Sequence, residues 1–413
     1  MPGRARRLLL LGLAALLAAG TFLAASTSAS ATATTCPTTI APVTNEQIDR
    51  VFALAAKKFQ PLAQRTRKRF PFGAAQNSTA MDTTNLRGWT SGFFPASTWL
   101  IYQNTNNPRW LDLARAWTKA VLPVASWTGT HDLGFMVGLP AALGVELDPS
   151  AKLRTDYRKA MLTASESLSS RWNAKVGAFK SGEYDGQWGL IMDSAMNAPL
   201  LITRGQQLGG SRGAQLEQRG TQHLLTLART FIRPDGSTYH RLAFDTSTGA
   251  LTGPVPGQGA DPDSAWARGQ SWAIYGFAQG AALTGDQTLL AAAQTTADYW
   301  LSKVPNGCIP AWDLDIDTPG ALHDSSASAI AANGLLLLAT LTTDQAKAEA
   351  YRTAALTSLG TLASEEWTPT TSPNPGLLQK QTYNVPKYDY EGSYSWGDTY
   401  LLQALRTARP LIS

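Results

Sequence analysis

Leu283-Thr284-Gly285-Asp286-Gln287-Thr288-Leu289 joins two apolar runs, each spaced at three and four residues. The glycine ends one helix, and the aspartate opens the next by accepting from its free N–H groups. Thr343-Asp344 repeats this break-and-cap signal. Thr44 with Gln47 resembles a capping box, and Pro108 follows Asn107 where a first helical residue belongs. Outward from these marks, the apolar spacing from Asn45 to Ala408 predicts helices over 45–67, 90–104, 107–126, 134–146, 150–173 and 189–205. It predicts six more over 212–231, 265–283, 286–304, 324–341, 344–364 and 393–408, with Gly/Pro-rich loops at 251–262 and 367–376. Twelve helices in consecutive hairpins point to an all-α fold closed as a ring of six pairs, an (α/α)6 barrel or six-hairpin toroid. An open solenoid would show a fixed period, whereas these pairs are irregular in length.

The ends and the composition narrow the function. Arg4, Arg6 and Arg7 precede an apolar run from Leu8 to Ala19 that is too short to span a bilayer, and Ala29-Ser30-Ala31 fits a cleavage site. Residues 1–31 therefore read as a secretory signal, and 32–413 as a single catalytic domain that is exported, with no membrane segment left after signal removal. Removing the signal takes three arginines and no acid, which lowers the net charge from +5 to +2. So small a charge argues against a nucleic-acid partner. Cys36 and Cys308 could bridge in an oxidising compartment and pin the N-terminal segment to the body, or stay free. With four histidines and no Cys/His cluster, no metal site and no cofactor are expected.

Two acidic motifs carry the chemistry: His131-Asp132-Leu133-Gly134-Phe135 and Met192-Asp193-Ser194-Ala195-Met196-Asn197. They are followed by Trp266-Ala267-Arg268-Gly269-Gln270-Ser271-Trp272. Paired carboxylates, an arginine and tryptophans suit an acidic sugar, which needs proton transfer, a carboxylate clamp and flat surfaces for the ring. Asp193 lies among Ile191, Met192 and Met196, where an unpaired buried carboxylate would be costly. Asp132 could instead cap a helix starting near residue 133. Arg268 and Trp272, one helical turn apart, can share a face, although a surface ion pair beside a core tryptophan has the same spacing. His240, in the loop after Arg233-Pro234-Asp235-Gly236, could be merely solvated. Asp324-Ser325-Ser326 reads as a helix start, mainly architectural.

The chain resembles the unsaturated glucuronyl hydrolases, glycoside hydrolase family 88, along nearly all of residues 32–413. The resemblance rests on Trp89-Thr90-Ser91-Gly92-Phe93-Phe94-Pro95, the two acidic motifs with Asp132 and Asp193 sixty-one residues apart, Trp266 to Trp272, Asp324 to Ala329, and Ser395-Trp396-Gly397-Asp398. It implies an (α/α)6 barrel whose mouth acts on a terminal 4,5-unsaturated uronic acid, the end group that polysaccharide lyases leave. It assigns Asp193 as acid/base and Asp132 as its partner, and Trp89, His131, His240, Gln258, Arg268 and Trp272 to the substrate. Two positions depart from the family pattern. Gly257 stands where a histidine is usual, and Thr399-Tyr400 where an aromatic pair is common. Lys380 and Lys387, in the stretch from Gln379 to Tyr394, are candidates for a subsite beyond the uronate. The related rhamnogalacturonyl hydrolases, acting on pectin fragments, and a carbohydrate-binding barrel without catalysis are the alternatives.

Overall fold

The computed structural model describes residues 36–388 and 390–412. The signal expected at 1–31 lies outside the described residues. Helices α1 (Asn45–Ala63), α2 (Phe93–Thr105), α3 (Pro108–Val121), α4 (Leu139–Leu147), α5 (Ala151–Ser169) and α6 (Ala198–Leu208) form the first half. The second half comprises α7 (Gly210–Phe231), α8 (Ala267–Thr284), α9 (Gln287–Lys303), α10 (Ser325–Leu341), α11 (Gln345–Leu362) and α12 (Ser395–Ala408). The starts lie where the capping chemistry placed them: Thr44 and Gln47 close a reciprocal capping box on α1, and Asn107, Asp286, Asp324 and Asp344 each cap a helix by side chain.

The even-numbered helices form the inner ring. α2 packs on α4, the turn Gly134–Gly138 carries the contact from α4 to α6, and α8, α10 and α12 follow in order. α12 then returns to α2 and closes the ring, which excludes an open solenoid. At this seam the hydroxyls of Ser97 and Thr399 meet at 2.8 Å, and Thr399 Oγ1 lies 2.9 Å from the carbonyl oxygen of Phe93. Thr399, one of the two departures from the family pattern, thus fastens the two ends of the barrel. α10 shows why an inner helix tolerates burial on nearly every side. Its first turns are Ser-Ser-Ala-Ser-Ala, small enough for close helix contact, and its remaining apolar residues face neighbours in both layers.

Short antiparallel strands, which helical periodicity did not reveal, build the upper rim. β1 (Phe70–Ala75), β2 (Asp82–Thr84), β9 (Gln381–Thr382) and β10 (Glu391–Tyr394) make one sheet in the order β2-β1-β10-β9. β5 (Gly182–Tyr184), β6 (Gln187–Ile191), β7 (Arg241–Phe244) and β8 (Leu251–Pro254) make another in sequence order. A small hairpin pairs β3 (Trp172–Asn173) with β4 (Ala178–Phe179). The helix expected over 189–205 is therefore corrected to a strand, a single turn Met192–Met196, and then α6. Ile191 is extended and pairs with Arg241 across the β6–β7 ladder, which stops a helix from starting before Met192. Cys36 and Cys308 are disulfide-bonded, anchoring the segment before α1 beside the end of α9. Among the described residues, no helix is long and apolar enough to cross a membrane.

Candidate active site

All six inner helices deliver a candidate residue at or just before their N-terminal ends: Trp89 for α2, Asp132 for α4, Asp193 for α6, Gln258 and Arg268 for α8, Asp324 for α10 and Trp396 for α12. One rim therefore gathers residues that lie up to about three hundred positions apart. Six helix N-termini at that rim also favour an anionic ligand.

The two acidic motifs are locked together by Asn197. Its side-chain amide donates to the carbonyl oxygen of Asp193 at 3.2 Å, and its oxygen accepts from the Phe135 N–H at 3.1 Å. Gly134 makes this approach possible, since a Cβ there would stand 2.7 Å from the Asn197 Cα. Asp132 caps no helix. Its Oδ2 accepts from the Thr130 hydroxyl at 2.7 Å, and its Oδ1 lies 3.5 Å from His131 Nε2. Burial lowers the His131 pKa, against the pull of Asp132, so its imidazole is neutral near pH 7.

Asp193 is almost fully buried, and its Oδ2 has no hydrogen-bond partner in the protein. Burial pushes its carboxyl up to about 7; the Asp132 charge adds to the rise, while Arg268 and Arg241 oppose it. His240 Nε2 lies 3.7 Å from that oxygen. His240 Nδ1 accepts from the Gln258 backbone N–H at 2.7 Å, so the neutral ring carries its proton on Nε2, facing Asp193. Burial holds the His240 pKa well down, and its ring packs on Trp266 at 4.2 Å. Gly257 allows the Nδ1 contact, because a Cβ there would fall 2.1 Å from Nδ1.

Arg268 has different partners from the expected carboxylate clamp. It is buried, and it forms an ion pair with Asp324, which is also buried. It donates further to the carbonyl oxygens of Thr382 (2.7 Å) and Tyr383 (2.6 Å) and to Gln258 Oε1 (3.1 Å). Its terminal N–H groups are thus committed inside the protein, and its guanidinium sits between Trp266 (4.4 Å) and Trp396 (5.3 Å). A buried guanidinium needs a carboxylate partner, and Asp324 supplies it. Asp324 is therefore more than a helix cap. The segment that offers the two carbonyls is held in turn by buried Asp398, which accepts from the N–H groups of Leu377 (3.1 Å) and Leu378 (2.8 Å) and from the Gln381 amide (3.3 Å).

Trp272 is also corrected. It is fully buried, packed against Phe135 (5.2 Å) and Tyr400 (5.3 Å), so it supports the floor and offers no face to a sugar. Trp89 is half-buried beside Trp396 (5.1 Å) and Phe135 (5.8 Å) and remains at the mouth. Lys380 pairs with Glu366 and lies over Trp367, so it is not free for a subsite, whereas Lys387 is exposed. The sequence reading missed Arg241, whose guanidinium lies over the Tyr184 ring at 4.5 Å and donates to the carbonyl oxygen of Pro256 at 3.1 Å. Its charge lowers the pKa values of Asp193, His131 and His240. Its place directly after His240 was the available signal. No group of three or more His, Cys, Asp or Glu side chains among the described residues is arranged to hold a metal ion.

An unsaturated glucuronyl hydrolase from Formosa agariphila is 30% identical to this chain over 382 residues, covering 89% of the chain and 92% of that protein. The chain belongs to the unsaturated glucuronyl hydrolases. It is therefore a glycoside hydrolase, as the paired motifs indicated. Solved structures agree with the ring of helices. An unsaturated glucuronyl hydrolase described as specific for heparin superposes with a TM-score of 0.82 at 25% identity, covering 89% of this chain and 98% of that one. The Bacillus sp. GL1 unsaturated glucuronyl hydrolase, described as responsible for the degradation of glycosaminoglycan, gives 0.75 at 29% identity, covering 87% and 94%. No family model matches the chain.

Proposed function

We propose that this hydrolase releases the terminal 4,5-unsaturated uronic acid from lyase-generated oligosaccharides of the glycosaminoglycan type. The observation that carries the reading is Asp193: a buried carboxyl whose proton is held up to about pH 7, with one oxygen uncommitted and pointed toward His240. The substrate's C4=C5 bond is an enol ether. Asp193 gives its proton to C4, and water adds its oxygen at C5 while returning a proton to the Asp193 carboxylate. The product hemiketal then opens and expels the aglycone, so one water is consumed and Asp193 ends protonated, as it began. Asp132 keeps the acid protonated by charge repulsion and, with His131, faces the sugar. Trp89 provides the stacking surface at the mouth. His240 offers its Nε2–H beside the reacting oxygen.

Arg268 serves by positioning: it fixes the Gln258 carbonyl oxygen, which leaves the Gln258 amide N–H groups for the uronate. Arg241 adds the positive field that an anionic sugar requires. Residues 1–31 would direct export, placing the enzyme beside secreted lyases. Heparin and other glycosaminoglycans are named for the relatives, and the closed ring with its acidic pair supports the same class here.

Purified residues 32–413, mixed with unsaturated disaccharides from chondroitin, heparin, hyaluronan and pectin, should abolish the C4=C5 ultraviolet absorbance of the glucuronyl substrates. Loss on pectin fragments alone would move the enzyme to the rhamnogalacturonyl type, and no loss from folded protein would refute the reading.

A further inference from the structure

His223 is fully buried on α7, an outer helix, and has no part in the chemistry proposed above. Its ring stacks on Phe179 of β4, with centroids 3.6 Å apart and planes 10° from parallel. Nδ1 lies 3.3 Å from the Phe179 backbone nitrogen, and Nε2 lies 2.9 Å from Ser194 Oγ. The Ser194 hydroxyl stands 2.6 Å from the carbonyl oxygen of Ile191. These contacts fix every proton. A carbonyl cannot donate, so Ser194 donates to Ile191. An amide N–H cannot accept, so Nδ1 is the bare nitrogen and Nε2–H donates to Ser194. Burial, with His131 nearby, holds the His223 pKa well below its ordinary value, so the ring stays neutral in this tautomer.

Ser194 directly follows Asp193 in the single turn Met192–Met196. A 3-10 turn this short has few hydrogen bonds of its own, so its neighbours set its place. The rim holds its start, where the Met192 N–H donates to the His240 carbonyl oxygen at 3.0 Å. α8 presses on its far side, where a Cβ on Gly276 would fall 2.6 Å from the Ala195 Cβ. From the outer layer the hold is His223. An apolar ring would stack on Phe179 with less desolvation cost. What the imidazole adds is a directed hydrogen bond to the residue beside the acid. We infer that His223, acting through Ser194, is a positioning residue that fixes where the Asp193 carboxyl sits and how far it is shielded from water.

This inference rests on the function proposed above, because it concerns the acid of that reaction; turnover by the unmodified enzyme reads the function separately. His223→Phe keeps the stacked ring and loses both polar bonds. Ser194→Ala removes one hydroxyl and decides the matter if the first variant does not fold. Each should lower kcat on the unsaturated disaccharide about 10- to 100-fold, the range for a reacting group displaced by roughly 1 Å, while KM changes little. A loosened turn also admits water to the Asp193 carboxyl and lowers its pKa from about 7, so the alkaline fall of kcat moves to lower pH. The charges around Asp193, which are Asp132, Arg241 and Arg268, and its neighbours His240 and Tyr184 are unaltered in both variants. The displaced limb therefore reports the surroundings of the carboxyl itself. His223→Gln, whose amide can donate to Ser194 in place of Nε2, should recover most of kcat. A lowered Tm with kcat and the alkaline limb unmoved in the folded variants makes His223 a core residue and overturns the inference alone. Unmodified enzyme that turns over no unsaturated disaccharide overturns both.

Discussion

His240 Nε2 stands 3.7 Å from Asp193 Oδ2, with the opposite ring nitrogen tied to the Gln258 backbone N–H. The imidazole therefore cannot turn its lone pair toward the acid without losing a 2.7 Å hydrogen bond. Asp193 faces a donor rather than a competing base, so its proton stays on the carboxyl, as the proposed protonation of C4 requires.

Replacing Asp193 by asparagine should leave the fold intact and reduce kcat by a factor on the order of 10²–10⁴, the usual worth of acid/base catalysis. The ultraviolet assay on disaccharide checks this, with circular dichroism as the control for folding. Near-normal turnover would remove Asp193 from its role.

The same variant should be more stable than the parent in alkali. Asp193 rises from 3.8 to about 7 on folding, so its protonated form stabilises the native state fully below about pH 4. That contribution is lost as pH rises through about 7, and asparagine has none to lose. The Tm advantage of Asp193→Asn should be larger at pH 8.5 than at pH 5; a constant difference would show that the carboxyl titrates normally.

The alkaline limb of the rate profile follows from the same proton. Activity should fall as pH rises through about 7. Asp132→Asn removes a like charge that lifts the Asp193 pKa, so the fall moves to lower pH. Arg241→Gln removes a charge that depresses it, so the fall moves to higher pH. Opposite displacements in kcat–pH curves are expected, and an unmoved limb in both variants would contradict the electrostatic account.

Arg268→Ala should be felt first as lost stability. It leaves Asp324 buried without its cation, at a cost of about 3–5 kcal/mol. Urea denaturation measures this directly, and adding Asp324→Asn should restore part of the loss. Normal stability with a raised KM would return Arg268 to the role of carboxylate clamp.

The disulfide between Cys36 and Cys308 should also contribute. Cys36→Ser with Cys308→Ser is expected to lower stability by about 2–4 kcal/mol, read as a fall in Tm matched by reductant treatment of the parent. Equal melting in all three samples would show that packing alone holds the segment.

Much of the barrel was legible because helix starts are written locally: Asp286 and Asp344 need only their own next few residues to cap a helix. The rim was not, because its strands are two to six residues long and paired with partners far along the chain, as Ala75 is with Gly392. Asp132 and Asp193 were recognisable as a pair, and the structure brings both motifs together through Asn197. Arg268 and Trp272 were read as facing the sugar because helical spacing gives a shared face without saying what covers it. Asp324, fifty-six residues on, covers the first, and Phe135 with Tyr400 covers the second. Gly257 was visible only as a departure. In three dimensions its missing side chain is what lets Gln258 set the tautomer of His240.

The seam between Ser97 and Thr399 joins positions 302 residues apart. During synthesis, α2 must wait for nearly the whole remaining chain before its last inner neighbour exists. Trp89 gains Trp396 only then, and Arg268 gains the Thr382 and Tyr383 carbonyls only late in translation. Such distant pairing makes folding slow and leaves early segments exposed, which favours completing the ring after release rather than during elongation. A nascent or prematurely ended chain therefore carries both Asp132 and Asp193 yet lacks the mouth that gathers around them.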